Sequence, residues 1–122
     1  MDKIKSFTDL ITWQEAHKLV LLIYKVTKTF PRDELFGLTD QVKRAVVSIS
    51  SNIAEGFSRN SKLEKQQFYS ISKGSLTEVE NQIIIAKDVG YINQSEFIII
   101  NQQIITVGKL IVSLQKYLRN LP

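Results

Sequence analysis

The segment FIIINQQIITVGKLIVSLQKYLRNL, residues 97–121, decides the fold. Within it Phe97, Ile100, Ile104, Val107, Ile111, Leu114, Leu118 and Leu121 recur in alternating steps of three and four without a miss. An α-helix returns to one face at that interval, whereas a half-buried strand needs alternation by two. The pattern is a heptad seam. Each such side chain contributes roughly 1.5–3 kcal/mol when fully buried, so the seam offsets much of the cost of ordering its own helix. Asn101, Gln102, Gln103, Lys109, Gln115 and Lys116 interrupt the segment, and its longest apolar run is Phe97-Ile98-Ile99-Ile100, so a bundle helix is expected here and a membrane span is not.

A second apolar set, Ile98, Ile99, Ile105, Leu110, Val112 and Tyr117, lies beside or beyond that seam. One core-facing stripe cannot bury both sets in a small bundle. The simplest second burial partner is another subunit, and Ile98, Ile105 and Val112, spaced by seven, are the expected interface residues. A wide intramolecular face is the alternative.

Working toward the N-terminus, three more segments carry the helical period. Residues 9–29 place Trp13, Ala16, Val20, Ile23, Thr27 and Phe30 on one face, with Thr8 as the expected N-cap and Phe30-Pro31 as the stop. Residues 40–57 carry Val42, Ala45, Val46, Ile49 and Ile53, with Thr39 as cap and Gly56 marking the end. Asn60 or Ser61 caps a third helix reaching to about residue 89, with Phe68, Ser72, Leu76, Val79, Ile83 and Ala86 inward and Gly90 as its C-terminal signal. The small pair Gly74 and Ser75 in its middle reads as close helix packing. Asn93 and Glu96 have capping-box spacing at the start of the fourth helix, which should end near residue 119. The fold class is therefore all-α: one domain over residues 1–122, an antiparallel up-and-down four-helix bundle.

Composition agrees with a single globular domain. The chain has 122 residues, 43% of them hydrophobic, with 16 Lys plus Arg against 12 Asp plus Glu, a formal charge of +4. There is no Cys, and His17 is the single histidine, so disulfides, thiolate zinc sites, iron–sulfur clusters, cysteine nucleophiles and multi-histidine centres are excluded. The opening Met1-Asp2-Lys3-Ile4-Lys5-Ser6 lacks the apolar run of a signal peptide, and the expected location is the cytoplasm. No Gly-rich phosphate loop or nucleophile elbow occurs. The carboxylates Asp33-Glu34 and Glu78 with Glu80 read as surface groups, and no catalytic residue, metal or cofactor is expected.

Two polar features stand out. Ser48, Asn52 and Glu55 recur at steps of four and three beside the apolar stripe of the second helix, which makes them a hydrogen-bonded seam between helices or subunits, with ligand contact as the alternative. Between residues 41 and 75 the cations are Lys43, Arg44, Arg59, Lys62, Lys65 and Lys73 and the acids only Glu55 and Glu64, so this window holds as much net charge as the whole chain. Lys43, Arg44, Arg59, Lys62 and Lys65 are the expected phosphate contacts of a nucleic-acid surface. A solvated basic face with counterions is the alternative.

The run Phe30-Pro31, Glu34 and Gly37-Leu38, followed by Gln41, Arg44-Ala45, Ser48-Ile49 and Ser51-Asn52-Ile53-Ala54-Glu55-Gly56, resembles the bacterial four-helix-bundle proteins encoded in intervening sequences of 23S rRNA genes. Trp13-Gln14, Phe68, Gly74-Ser75, Glu78 and Gly90-Tyr91 extend the resemblance over nearly the whole chain. It is also similar to the accessory variability determinant of diversity-generating retroelements. That resemblance implies a homopentamer, association with RNA or DNA, and a reverse transcriptase or other protein as a partner.

Overall fold

In a computed structural model, which describes residues 3–122, the chain forms α1 (Ile11–Thr27), α2 (Leu38–Ser58), α3 (Lys62–Asp88) and α4 (Gln94–Arg119), with no strand among the described residues. Met1 and Asp2 lie outside the described residues. Short 3-10 turns, Phe7–Asp9 and Arg32–Glu34, precede α1 and α2. Each helix packs on the next and α1 closes against α4, while the diagonal pairs make no close backbone approach. Short connectors enforce this order, because consecutive helices must fold back on one another.

The seam of α4 supplies one wall of the core. Ile100, Ile104, Val107, Ile111 and Leu118 are buried, Phe97 and Leu114 are half-buried, and Leu121 lies beyond the helix end and is exposed. All five stripe residues of α2 are buried. On α1 the buried face is turned slightly from the expected one: Thr12, Ala16, Leu19, Ile23, Val26 and Thr27 are buried, while Trp13 and Val20 are half-buried against the core. Ala16, Ile23 and Phe30 belong to both candidate stripes, and packing against α2 and α4 selects between them. On α3, Tyr69 is buried in place of Phe68.

The helix ends differ from the expected caps in three places. Ser6, not Thr8, is the N-terminal cap: it forms a capping box with Asp9 around the first 3-10 turn, and α1 follows without a side-chain cap. Gly37, not Thr39, is the N-cap of α2; Thr39 is buried in the first turn, and Glu34 Oε1 accepts the Leu38 N–H at 3.1 Å. Gly56 does not stop α2, which continues to Ser58; it is a point of close approach to α3, since a Cβ there would lie 2.6 Å from Tyr69 Cε1. Ser61 caps α3, and Asn93 with Glu96 forms the capping box of α4. Gly90, at φ +88°, reverses the chain after α3 while the Tyr91 N–H donates back to the Ala86 carbonyl at 2.8 Å.

Candidate nucleic-acid interface

The connector between α1 and α2 builds the most distinctive surface. Pro31 leads into the turn Arg32–Glu34, and Glu34 is then fixed from two sides: Tyr91 Oη donates to Oε2 at 2.8 Å and the Leu38 N–H to Oε1 at 3.1 Å. The Leu38 N–H first, then the Tyr91 hydroxyl, hold the Glu34 carboxyl below the usual carboxylate range, and the same bond raises the Tyr91 hydroxyl above its ordinary value. A Cβ on Gly37 would lie 2.7 Å from Glu34 Oε1, so glycine leaves the room this arrangement needs. With Glu34 held, Leu35 and Phe36 project outward, and Phe36 is 91% exposed.

These residues overhang an open groove of about 670 Å³ between α1 and α2, lined by Tyr24, Leu35, Phe36, Lys43, Arg44 and Val47 among others. It continues past Tyr24 and Lys43 into a second depression containing Lys28, Phe30 and Arg32. Four cations, Lys28, Arg32, Lys43 and Arg44, therefore line one continuous surface, with Asp40 as the acid among its lining residues. Asp40 is engaged by Arg44 at 3.1 Å. The Lys43 ammonium sits 4.5 Å from the centre of the Tyr24 ring, which places that charge in the groove.

Arg59, Lys62 and Lys65 stand elsewhere, at the α2–α3 turn. Residues 44 and 59 are fifteen positions apart on one helix and its C-cap, roughly 22 Å along the axis. Lys65 Nζ donates to the carbonyls of Phe57 at 2.8 Å and Gly56 at 3.3 Å, neutralising the end of α2, and burial pushes its pKa down. Lys62 Nζ donates to the Leu121 carbonyl at 2.7 Å. Arg59 pairs with Glu55 at 3.1 Å and lies 4.7 Å above the Phe68 ring. The five cations singled out in the sequence thus form two groups, and the donors of the second are turned toward the protein itself.

Of the polar trio on α2, Ser48 and Asn52 come together. Ser48 Oγ is 2.8 Å from Ser75 Oγ, and Asn52 Nδ2 donates to the Ser48 carbonyl at 2.7 Å and to Ser48 Oγ at 3.0 Å. Ser72 Oγ, fully buried, donates to the Ile49 carbonyl at 2.8 Å. Glu55 is exposed and joined to Arg59. Ser75 therefore does mark close α2–α3 packing, whereas Gly74 faces open space, with nothing within 4 Å of a Cβ built on it.

On α4, Ile98, Ile105 and Val112 are 46%, 47% and 42% exposed, a line of aliphatic side chains at heptad spacing down the outer surface. By length and composition alone α4 is, among the described residues, the helix long and apolar enough to cross a membrane, but its seam is buried against α1 and α3, the packing expected of a bundle helix. His17 stacks on Trp13 with ring centres 4.8 Å apart. Among the described residues no three His, Asp or Glu side chains gather as a metal site.

Lys28, Arg32 and Phe36 were not singled out by sequence reasoning. Lys28 closes α1 and Arg32 opens a turn, so only the fold-back of α2 brings them opposite Lys43. The adjacent apolar pair Leu35-Phe36 inside a charged connector was the available signal.

The class defined here is an all-α up-and-down four-helix bundle with a cationic, aromatic groove at one end. The chain belongs to the 23S rRNA-intervening sequence protein family, whose model matches residues 8–113. Its fold is similar to the crystal structure of a protein from the S23 ribosomal protein family of Bacteroides thetaiotaomicron VPI-5482, described as of unknown function. The two share 20% sequence identity at a TM-score of 0.81, covering 87% of this chain and 99% of the other. No curated protein matches the chain.

Proposed function

We propose that this protein is a non-enzymatic, cytoplasmic, homo-oligomeric scaffold that associates with nucleic acid or a ribonucleoprotein through sequence-independent phosphate contacts. The observation that carries this reading is the groove: Lys28, Arg32, Lys43 and Arg44 face one open surface whose single acid among the described lining residues, Asp40, is already engaged by Arg44. A polyanion is the ligand that such an imbalance attracts. The exposed line Ile98, Ile105 and Val112 supports assembly, and a ring, a pentamer by the family resemblance, would repeat the groove around its circumference. Arg59, Lys62 and Lys65 serve as a secondary basic surface.

The test is a titration of the purified protein with labelled structured RNA and duplex DNA at low and physiological salt, with oligomer mass recorded in the same buffers. Micromolar or tighter binding that falls steeply with salt is expected. No binding at low salt by an intact oligomer would contradict the proposal. A second reading, a scaffold for a protein partner such as a reverse transcriptase, draws on the α4 line, which a foreign chain can cover as well as a second copy. It predicts a co-purifying polypeptide that stays with the assembled protein after nuclease treatment.

A further inference from the structure

The geometry points to unpaired, single-stranded nucleic acid as the occupant of the α1–α2 groove, with a base stacked on Phe36; this rests on the phosphate-contact reading above. Phe36 is 91% exposed, yet it sits on a turn whose preceding residue but one, Glu34, is tied to Leu38 and Tyr91 and whose following residue, Gly37, leaves no room for a side chain. A protruding ring on a fixed turn is preorganised, so little ordering cost attends stacking on it. Lys43, held 4.5 Å over the Tyr24 ring, and Lys28 and Arg32 beyond it supply cations along the same surface for a strand's phosphates. Aromatic platforms beside a cationic track are how sequence-tolerant single-strand binding works. A duplex keeps its base faces inside the stack and offers the groove phosphates alone, leaving Phe36 unused.

The experiment compares a labelled single-stranded RNA of about 12 nucleotides, within the usual site size, with the duplex of the same sequence by fluorescence anisotropy, using the full chain. Phe36→Ala should weaken single-strand binding by about 5- to 150-fold, the loss of one base–aromatic stack, and leave duplex binding within about twofold. Phe36→Trp should restore the single-strand affinity. Unchanged thermal melting and oligomer mass confirm that the variant folds, as expected for so exposed a side chain. Equal effects of Phe36→Ala on both ligands, or none on either, overturn the single-strand assignment. A fall in oligomer mass also overturns it, by making Phe36 a contact to a second copy. Charge reversal at Lys28, Arg32 and Lys43 separates the two claims. If it leaves both affinities unchanged, the phosphate-contact reading fails; if it weakens both while Phe36→Ala changes neither, that reading stands and the single-strand assignment falls.

Discussion

Gly56→Ala and Gly74→Ala should move stability in opposite directions although both lie in long helices, and the reason is the approach of α2 to α3. At Gly56 an added Cβ would lie 2.6 Å from Tyr69 Cε1, 3.0 Å from Cδ1 and 3.1 Å from Phe68 Cβ. Tyr69 is only 2% exposed, so its ring cannot swing into solvent to make room. Overpacking of this kind costs about 1–3 kcal/mol, and the better helix propensity of alanine returns up to about 1 kcal/mol. The expected net loss is about 1–2 kcal/mol, which for a chain of this size lowers Tm by roughly 3–10 °C. At Gly74, in the middle of α3, nothing lies within 4 Å of the added Cβ, so only the propensity gain remains. That variant should gain about 0.5–1 kcal/mol and roughly 1.5–5 °C. Thermal and urea unfolding followed by circular dichroism, at one fixed protein concentration so that the proposed assembly would weigh equally on every variant, read both changes. Adding Tyr69→Leu to Gly56→Ala should recover part of the loss, a coupling that distant sites do not show. A Gly56→Ala protein as stable as Gly74→Ala would refute the close approach of the two helices.

Further predictions concern the outer face, the connector and one buried amide. Ile105→Glu, in the middle of the exposed α4 line, should lower oligomer mass in sedimentation without reducing helicity; an unchanged mass would remove this line from the subunit contact. Because Glu34 has a depressed pKa, its contribution to stability is fully present above the usual carboxylate range and is lost as pH falls through the depressed value. Tyr91, raised by its bond to Glu34, contributes below the ordinary tyrosine value and ceases to do so as pH rises through the raised one. Glu34→Ala should therefore flatten both limbs of the Tm against pH curve, and two intact limbs would contradict the pairing. Gln82 is buried with its Oε1 unpartnered, while its Nε2 donates to Glu78. Gln82→Met should raise stability by about 1 kcal/mol, since an apolar group of similar shape removes the orphaned acceptor; a lower Tm would show that this oxygen has a partner in solution.

Periodicity made α4 and α2 legible: the α4 seam runs in unbroken steps of three and four and supplies its buried residues, and all five stripe residues of α2 are buried. On α1 it did not suffice: the stripes through Trp13 and Val20 and through Leu19 and Val26 share Ala16, Ile23 and Phe30, and only contact with neighbouring helices distinguishes them. Phe68 and Tyr69 pose the same ambiguity at one step, resolved by the space above Gly56. Capping failed at α2 because the helix opens one residue before the Thr39 that a local pattern favours: Thr39 is buried inside the first turn, and the Leu38 N–H is accepted by Glu34 from before the helix. The candidate site was half legible. Lys43 and Arg44 stood out by charge density, but Lys28, Arg32 and Phe36 join them only through the turn that folds α2 back along α1. Charge counting also could not see that Lys62 and Lys65 spend their donors on backbone carbonyls.

The most direct test sets the two basic clusters against each other. RNA affinity should be measured across a salt series for the wild-type chain, for Lys28→Glu with Lys43→Glu in the groove, and for Arg59→Glu with Lys62→Glu at the α2–α3 turn, with oligomer mass followed throughout. The groove pair should weaken binding by more than about tenfold and reduce the salt slope by about 1.4, roughly 0.7 for each lost contact to a single strand, whereas the turn pair should have the smaller effect. Undiminished binding by the groove pair, at unchanged oligomer mass, would contradict the assignment of this groove as the nucleic-acid surface.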